Sequence, residues 1–391
     1  MFKGKYVYNQ LVSLVSRYEF DKCVHSYKGN YRARDLKCWQ QFLMMLFGQL
    51  TYRESLNDII NCLEAHAPKV YHLGITKIVA VSTLSRANEN RDYRIWVDYA
   101  TYLIQVSRPL YIKDNDFELS DLDYTIYALD ASVIDLCLSI FDWAKFRKHK
   151  GAIKLHALLD LRGNIPVFIH ITHGKVHEVK ILDMLEFEAN AFYVVDKGYY
   201  DFERLFKIYQ AKAFFIIRAK SNLKFRRLYS TKVDKTLGLR CDQTIKLTGI
   251  KTAKVYPAKL RRIKYYDKEL NKTFVFLTNN FELEALIIAK LYKNRWQIEL
   301  FFKWIKQHLK IKKFMGESEN AVKTQIWIAI CTYLLVVIAK KKCQSELSLY
   351  QILQILSVSA FDKTPINQLL TKQHLQKKEV QVSNQLTIFD L

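Results

Sequence analysis

Two segments of the chain are predicted to be buried strands that each end in an aspartate, Thr125-Ile-Tyr-Ala-Leu-Asp130 and Ala191-Phe-Tyr-Val-Val-Asp196. Unbroken apolar runs rich in aromatic and β-branched residues are typical of strands covered on both faces. A carboxylate at the end of such a strand loses solvation and needs a cation, hydrogen bonds or protonation to compensate. Either aspartate alone is explained as a strand-end cap. Two of them on adjacent strands indicate a divalent-metal site.

The pattern around these segments predicts three consecutive strands followed by strands that alternate with helices. That order is typical of a mixed α/β sheet. The sequence Arg162-Gly163-Asn164 is a turn signal between two of the strands. The other predicted elements are strands at residues 153–161, 165–172 and 213–218 and helices at residues 179–188 and 201–210.

Residues 221–278 differ in composition from the rest of the chain. They hold 15 Lys and Arg against 4 Asp and Glu, and short β-like pieces lie at residues 243–247 and 272–278. These features predict a basic β insertion. Five neighbouring side chains in it combine phosphate contacts with base stacking, which favours DNA binding over a merely solvated run of charge. They are Arg261, Arg262, Lys264, Tyr265 and Tyr266.

A third carboxylate, Glu299, lies on a predicted amphipathic helix over residues 282–310. At 100° per residue, three side chains fall within about 40° of Glu299 around this helix. They are Tyr292, Arg295 and Lys306. A solvated helix face with an Arg295–Glu299 ion pair is the simpler alternative. Together with the two aspartates, however, the three carboxylates suit two Mg²⁺ ions, which would cleave a phosphodiester by activating a water or a 3′-hydroxyl and stabilising the leaving oxygen.

Both ends of the chain are predicted to be largely helical. In the N-terminal part, a helix capped by Ser82 is predicted to run through Arg94 to Tyr99. It carries Arg86 and Arg91, which either contact DNA or belong to an ordinary charged exterior. Near the C-terminus, the longest apolar run covers residues 326–339 and is too short to cross a bilayer, which favours a buried core helix.

The composition favours a globular protein with a polyanionic partner. The chain has 391 residues, of which 50% are hydrophobic and 14% aromatic, and its formal net charge is +23. This apolar content excludes a disordered chain, and 11 Gly with 5 Pro exclude collagen-like and linker-rich architectures. Excess Lys and Arg suit nucleic acid, because displacing counterions from phosphates drives binding.

The seven cysteines are odd in number and scattered, which predicts free thiols in a reducing cytoplasm. Two short Cys–His spacings, at Cys23-x-His25 and Cys62-x3-His66, match no compact zinc-finger pattern. Core thiols and surface histidines account for them better than zinc ligands.

The acidic residues and their neighbours resemble those of DDE transposases of the bacterial insertion-sequence family four. The signature Tyr-x2-Arg-x3-Glu-x6-Lys of that family matches the chain in full, from Tyr292 to Lys306. Its first Asp corresponds to Asp130 in Leu-Asp-Ala-Ser. Its second corresponds to Asp196 in Val-Asp-Lys-Gly-Tyr, where Lys197 replaces the arginine often found in members. The resemblance covers roughly residues 120–340.

The resemblance implies a ribonuclease-H-like mixed α/β sheet flanked by helices, interrupted by a basic β insertion, with an all-helical N-terminal domain. It also implies two Mg²⁺ ions, or Mn²⁺ in their place, bound by Asp130, Asp196 and Glu299. The partners it implies are the double-stranded DNA of element ends and target, bound by a homodimer in the bacterial cytoplasm with the nucleoid and without a membrane. Relatives cleave element ends and transfer the 3′-hydroxyls, some through a hairpin in which an aromatic residue supports a flipped base. The candidates for that residue are Tyr265, Tyr266, Trp296 and Trp304.

The resulting division of the chain has five segments. They are a helical N-terminal DNA-binding domain at residues 1–115, the first part of the catalytic core at 116–220, the basic β insertion at 221–278, the second part of the core with the Glu-bearing helix at 279–345, and a tail at 346–391 that is expected to serve dimerisation. Two other functions stay open on the sequence alone. One is a nuclease of the same fold that does not join ends, and the other is a transposase-derived DNA-binding protein without catalysis.

Overall fold

The computed structural model describes residues 4–112, 124–147, 150–309, 311 and 313–371, so the end of the predicted tail lies outside the described residues. The chain forms two compact units. A helical unit combines residues 1–111 with residues 303–391, and a sheet unit comprises residues 112–302. The predicted five-segment division stays a prediction. In the structure the N-terminal helices share a unit with the C-terminal ones, and the boundary at residues 302 and 303 falls inside the predicted second part of the core.

The α-helices in the described residues are α1 (Val7–Val12), α2 (Arg17–Ser26), α3 (Cys38–Leu50), α4 (Leu56–Ala65), α5 (Ala67–Val70), α6 (Val81–Asn90), α7 (Arg94–Tyr111), α8 (Phe202–Gln210), α9 (Ile250–Val255), α10 (Ala285–Lys293), α11 (Trp296–His308), α12 (Glu319–Lys342), α13 (Leu349–Ser359) and α14 (Ile366–Leu369). The strands are β1 (Ile126–Leu136), β2 (Lys145–Arg147), β3 (Lys150–Asp160), β4 (Ile165–His173), β5 (Phe192–Val195), β6 (Phe214–Arg218), β7 (Phe225–Thr231), β8 (Leu239–Leu247), β9 (Leu260–Asp267) and β10 (Lys272–Thr278).

All of these strands belong to one mixed sheet in the order β2-β3-β1-β5-β6-β10-β9-β8-β7, with β4 paired to β3. β5 runs parallel to β1 and β6, and the remaining pairs are antiparallel. The structure confirms the predicted mixed α/β sheet with flanking helices and the helical N-terminal region, which is consistent with a ribonuclease-H-like arrangement.

The central strands present one face to α8. Tyr127 and Leu129 of β1 and Val195 of β5 pack in one core cluster with Leu205 and Ile208 of α8. Because side chains alternate across a strand, residues such as Asp130 and Asp196 point to the opposite face.

The segment predicted to be a basic insertion is β-rich, as expected, and its strands extend the main sheet instead of forming a separate one. β10 pairs with β6 in antiparallel register, and β9, β8 and β7 continue the same sheet outward. Its interpretation as an insertion into the sheet domain stays a prediction.

The helical unit is built around α12. This helix packs against α3, α6, α7 and α13. It is long and apolar enough to span a bilayer by length and composition, yet 94% of its most apolar 18-residue window is buried in the protein. Like the N-terminal α2, it begins at a serine, Ser318, whose side chain accepts a backbone N–H of the first turn.

The helix predicted to start at Ser82 and to run through Arg94 is wrong in both respects. The N-cap of α6 is Ala80, two residues before the predicted cap, and the helix ends at Asn90. Arg91 is extended, and the carboxylate of Asp92 accepts the backbone N–H of Arg94 at 2.9 Å, which starts α7 as a new helix.

The helix predicted at residues 179–188 is a short 3₁₀ helix at Glu178–Met184 instead. Glu188 is held by the sheet, since its N–H donates to the Tyr193 hydroxyl at 2.9 Å and its carboxylate accepts the Tyr127 hydroxyl at 2.5 Å. These tertiary bonds outweigh the local helical preference.

Candidate active site

Asp130 and Asp196 lie side by side where two parallel strands separate. Leu129 of β1 is in register with Val195 of β5, the last pair of that ladder. The aspartates that follow therefore occupy equivalent positions on strands about 4.8 Å apart. Beyond Asp130, β1 continues along β3 as far as Leu136.

Backbone N–H groups fix the orientation of both aspartates. Asp196 begins a 3₁₀ turn at Lys197–Tyr199, and its Oδ1 accepts the N–H of Gly198. Asp130 Oδ1 accepts the N–H of Ala131 at 2.8 Å. Each carboxylate is thus anchored through one oxygen.

The single helix predicted over residues 282–310 is wrong, because the structure has two helices, α10 and α11, that meet at Asn294 and Arg295. At this junction the N–H of Arg295 donates to the carbonyl of Tyr292, three residues back. This is the tighter 3₁₀ pattern. Tyr292 therefore belongs to the last turn of α10, and Glu299 lies in the first turn of α11.

The Arg295 guanidinium lies between two of the carboxylates. Its Nη1 donates to Asp130 Oδ2 at 2.9 Å, and its Nη2 donates to Glu299 Oε1 at 2.5 Å. The arginine and aspartate side chains are 16% and 19% exposed, whereas the glutamate side chain is 57% exposed. Arg295 thus links a largely buried carboxylate of the sheet to a solvent-facing carboxylate of α11.

Burial raises the pKa of Asp130 to about 6. The Ala131 N–H and the Arg295 guanidinium lower this pKa, whereas the charges of Asp196 and Glu299 raise it further. The charges of Asp196 and Glu299 therefore act on Asp130, and a cation close to Asp130 favours its ionised form.

The chemistry of these side chains fits a divalent cation. Carboxylate oxygens are the ligands that Mg²⁺ and Mn²⁺ prefer, and a cationic guanidinium bridges Asp130 and Glu299. Across the described ranges, no three Asp, Glu, His or Cys side chains are gathered tightly enough to hold one ion. Coordination of one ion by all three acids would therefore need them to lie closer together than they do here.

An aromatic cavity of about 410 Å³ lies beside Arg295. The Tyr292 ring, which lines it, packs against Phe276 with centroids 4.8 Å apart, and Trp296 is 45% exposed at its rim. Tyr265, one of the predicted stacking residues, also lines this cavity. The cavity combines flat apolar surfaces with a guanidinium, which suits an unstacked base and its phosphate.

A second, basic cavity of about 240 Å³ lies next to Asp196. It is lined by Lys197, Arg218, Lys220 and Arg262, and the Arg218 guanidinium lies 4.9 Å from the centroid of Phe274. Arg218 and Lys220 are not among the site residues predicted from the sequence. A signal was present, since Arg218 directly follows the apolar run at residues 213–217 and Lys220 lies two positions further on.

The predicted DNA contact by Arg261 is corrected by the structure. This side chain is buried and forms a bidentate ion pair with Asp242, at 2.9 and 2.7 Å. Arg262, on the opposite face of β9, is half-buried, donates to Gln243 at 3.0 Å and lies over the Phe225 ring. Lys264 is exposed, and the Tyr266 hydroxyl donates to Asn271 at 2.7 Å.

The predicted residues of the helical unit have two different environments. Arg86 is exposed, whereas Arg91 is half-buried and donates to the Gln41 side chain at 2.7 Å and to the Leu36 carbonyl. Arg91 therefore holds the helices together, which corrects its predicted role. Lys306 lies in the last turn of α11 and is half-buried. Trp304 packs against Tyr333 inside the helical unit, with centroids 4.9 Å apart.

Comparison with known proteins identifies two regions. A family model described as a transposase DDE domain matches residues 121–335, which is more than half of the chain. A second model, described as a domain of unknown function, matches residues 3–76. A piggyBac transposase chain, from a synaptic complex with hairpin DNA, aligns with a TM-score of 0.47 at 11% identity, covering 95% of this chain and 84% of that one.

Three relatives carry the names of transposases. The chain is 38% identical over 203 residues to y4zB of Sinorhizobium fredii, covering 51% of this chain and 56% of the relative. It is 28% identical over 213 residues to the probable transposase of element IS5377 from Geobacillus stearothermophilus, covering 53% of this chain and 54% of the relative. It is 27% identical over 268 residues to that of element IS4SA from Synechocystis, covering 66% and 71%.

The chain spans little more than half the length of the first two relatives. The matched DDE domain contains Asp130, Asp196 and Glu299 together with the strands and helix that carry them. The chain belongs to the transposase DDE domain family.

Proposed function

We propose that this protein is a metal-dependent DNA transposase of an insertion sequence, with the signature of family four. In this proposal it binds the ends of its element, cleaves the phosphodiester bonds and transfers the 3′-hydroxyls to target DNA by cut-and-paste transposition. The observation that carries the proposal is that Asp130 and Asp196 directly follow the in-register pair Leu129–Val195, with Glu299 linked to Asp130 through Arg295, inside the span of the DDE domain.

Asp130, Asp196 and Glu299 would hold two Mg²⁺ ions, or Mn²⁺ ions. Bound there, the ions would activate the attacking water or 3′-hydroxyl and stabilise the leaving oxygen. The chain's own contribution is orientation. The backbone bonds of the two aspartates hold their carboxylates in place, and Arg295 exchanges its carboxylate partners for a DNA phosphate.

The remaining side chains of the site bind the DNA strand. Lys197, Arg218, Lys220 and Arg262 line a basic cavity beside Asp196 and would hold the phosphate backbone. Tyr292, Trp296 and Tyr265 would stack on a base displaced from the duplex at a hairpin stage. Lys306, the last residue of the signature, and the exposed Lys264 and Arg86 would add phosphate contacts.

The partners of this activity are double-stranded element ends and target DNA, bound by a homodimer that pairs two ends. The net charge of +23 supports a polyanionic partner. The expected location is the bacterial cytoplasm, in association with the nucleoid.

The test is Glu299→Gln, assayed with a linear duplex that carries the sequences flanking the gene. We expect loss of strand cleavage in Mg²⁺ with little change in DNA binding, because the substitution removes one ligand charge from an exposed position. Cleavage that persists in this variant contradicts the proposed site. Wild-type protein that cuts without joining ends indicates a nuclease, and DNA binding without cutting indicates a binding protein.

A further inference from the structure

We infer that Glu178, clamped by Lys154, is a positioning residue for Asp196 and acts on it through Gly198. The inference rests on the proposed function, because it assigns Asp196 to the metal. Glu178 touches none of the reacting groups in this account. Its role is to hold the turn that orients the carboxylate.

Lys154 and Glu178 form a partly buried ion pair. Lys154, on β3, donates to the Val176 carbonyl at 3.0 Å and lies 3.3 Å from Glu178 Oε1. The two side chains are 13% and 31% exposed. The lysine is therefore fixed at two points, and it fixes one oxygen of Glu178.

The other oxygen of Glu178 lies against Gly198. A Cβ placed on Gly198 would lie 2.9 Å from Glu178 Oε2 and 3.1 Å from Asp196 Oδ1. Both carboxylate oxygens thus approach the same point of the turn, from two sides. The φ angle of Gly198 is outside the left-handed region, so close approach, and not backbone conformation, accounts for glycine here.

The turn carries the contact to Asp196. The Gly198 N–H donates to Asp196 Oδ1, and the Tyr199 N–H donates to the Asp196 carbonyl at 3.2 Å. Glu178 presses on the residue whose N–H anchors the carboxylate. A shift of Glu178 is therefore expected to move that N–H and to change the orientation of the Asp196 carboxylate.

The turn ends in a buried residue, Tyr199, whose side chain is 0% exposed. Among the described residues its hydroxyl has no hydrogen-bond partner. The Tyr199 ring packs in the core cluster and holds one end of the turn, while Glu178 and Asp196 both approach Gly198.

The first experiment measures Mn²⁺ affinity by isothermal titration calorimetry, with and without the flanking-sequence duplex, for wild type and Glu178→Gln. Loss of a residue that orients a metal ligand weakens metal binding by about 10-fold or more. We expect that loss in Glu178→Gln, together with an increase of about the same factor in the Mg²⁺ concentration needed for half-maximal cleavage. Asp183→Asn is the matched control, because Asp183 lies on the same 3₁₀ helix but pairs with Arg204 and Lys207 of α8.

The second experiment tests whether the effect passes through Gly198. Gly198→Ala puts a methyl group against Glu178, so it is expected to weaken Mn²⁺ binding in the wild-type background. In a Glu178→Ala background the methyl group meets Asp196 Oδ1 but no longer Glu178 Oε2, so the added loss is expected to be smaller. Thermal melts followed by circular dichroism identify any variant that fails to fold, and the conservative Glu178→Asp then replaces it.

The outcomes separate this inference from the proposed function. If wild-type protein neither binds Mn²⁺ nor cleaves DNA, the proposed function fails. If wild-type protein does both and Glu178→Gln binds Mn²⁺ as tightly as Asp183→Asn does, the positioning role is overturned. Equal losses from Gly198→Ala in both backgrounds overturn the path through Gly198.

Discussion

The Arg295 guanidinium lies between two acidic side chains of the sheet unit. Its guanidinium bonds to Asp130 and Glu299 at 2.9 and 2.5 Å. In the proposed mechanism a metal ion competes with Arg295 for the two carboxylates, and a DNA phosphate competes with the carboxylates for Arg295. Two ligands that displace the same contact favour each other's binding, and the coupling is reciprocal.

Arg295→Gln is therefore expected to strengthen Mn²⁺ binding in the absence of DNA while it weakens DNA cleavage. Removing the guanidinium takes away a like charge near the ion, an effect on the order of 10-fold in affinity, or about 1.4 kcal/mol. Calorimetric titration of the DNA-free protein measures it. Arg86→Gln, in the helical unit, is the charge-matched control. Unchanged or weaker Mn²⁺ binding in Arg295→Gln contradicts the competition.

The raised pKa of Asp130 predicts how the stability of the metal-free protein depends on pH. Its pKa is about 6 in the folded chain against a reference of 3.8, so the folded state binds more protons between these values and its stability falls as the pH rises through them. The full loss is ~3 kcal/mol above pH 6. Asp130→Asn removes this loss. Urea denaturation at pH 4 and pH 7 is expected to show a smaller difference for the variant than for wild type, and equal differences contradict the prediction.

For single residues, the sequence predicted which side chains carry the chemistry better than it predicted which of them are buried. The aspartates at 130 and 196 could be identified because each ends an apolar run. Arginines and lysines predicted from their charge alone proved less certain, because some of them are buried in ion pairs or hydrogen bonds. Arg261 and Arg91 turned inward to Asp242 and Gln41, and Arg218 and Lys220 line a cavity that was not foreseen. Nothing in the local sequence says which arginine finds a buried acid.

The two faces of strand β9 have different roles, one in stability and the other in the proposed DNA binding. Its consecutive arginines point to opposite faces. Arg261 is buried with Asp242, and Arg262 lines the basic cavity.

Arg261→Ala is expected to destabilise the protein by about 3–5 kcal/mol, because it leaves Asp242 buried without its partner. Arg262→Gln is expected to leave stability nearly unchanged, to weaken DNA binding, and to reduce the slope of log affinity against log salt by about 1. Chemical denaturation and salt-titrated DNA binding measure the two effects. An unchanged salt slope in Arg262→Gln removes this residue from the DNA interface.

The break between α10 and α11, just before Glu299, was not predicted from the helical periodicity of the sequence. The sequence has no Pro or Gly near the junction. Asn294 donates its side-chain amide to the Lys290 carbonyl at 3.0 Å, a local bond of the kind that competes with helix continuation. Side chains predicted to share one helix face therefore belong to two helices, and the Arg295–Glu299 pair survives because it spans one turn.

At the scale of the whole chain, the helical unit is assembled from both ends of the sequence. α12 packs against α3, α6 and α7, and it is almost wholly buried. The sequence predicted a buried core helix here but gave no sign of which helices cover it, since contacts between distant segments leave no local pattern.

A fragment of residues 1–111 alone is therefore expected not to fold, because α3 and α7 lose the apolar helix that covers them. Circular dichroism and thermal melting are expected to show low helicity and no cooperative transition. Adding a separately produced fragment of residues 303–391 is expected to restore both. A cooperative melt of the first fragment by itself contradicts this assembly.

Because α12 covers the N-terminal helices, its position late in the sequence also determines when the helical unit can fold during translation. The sheet unit is contiguous in sequence and has left the ribosome before synthesis of the C-terminal helices is complete, whereas the N-terminal helices emerge first and wait longest. Until α12 is synthesised, the nascent chain carries uncovered apolar helices, the kind of surface that chaperones bind. Translation that stops before the end of α12 therefore releases an aggregation-prone polypeptide.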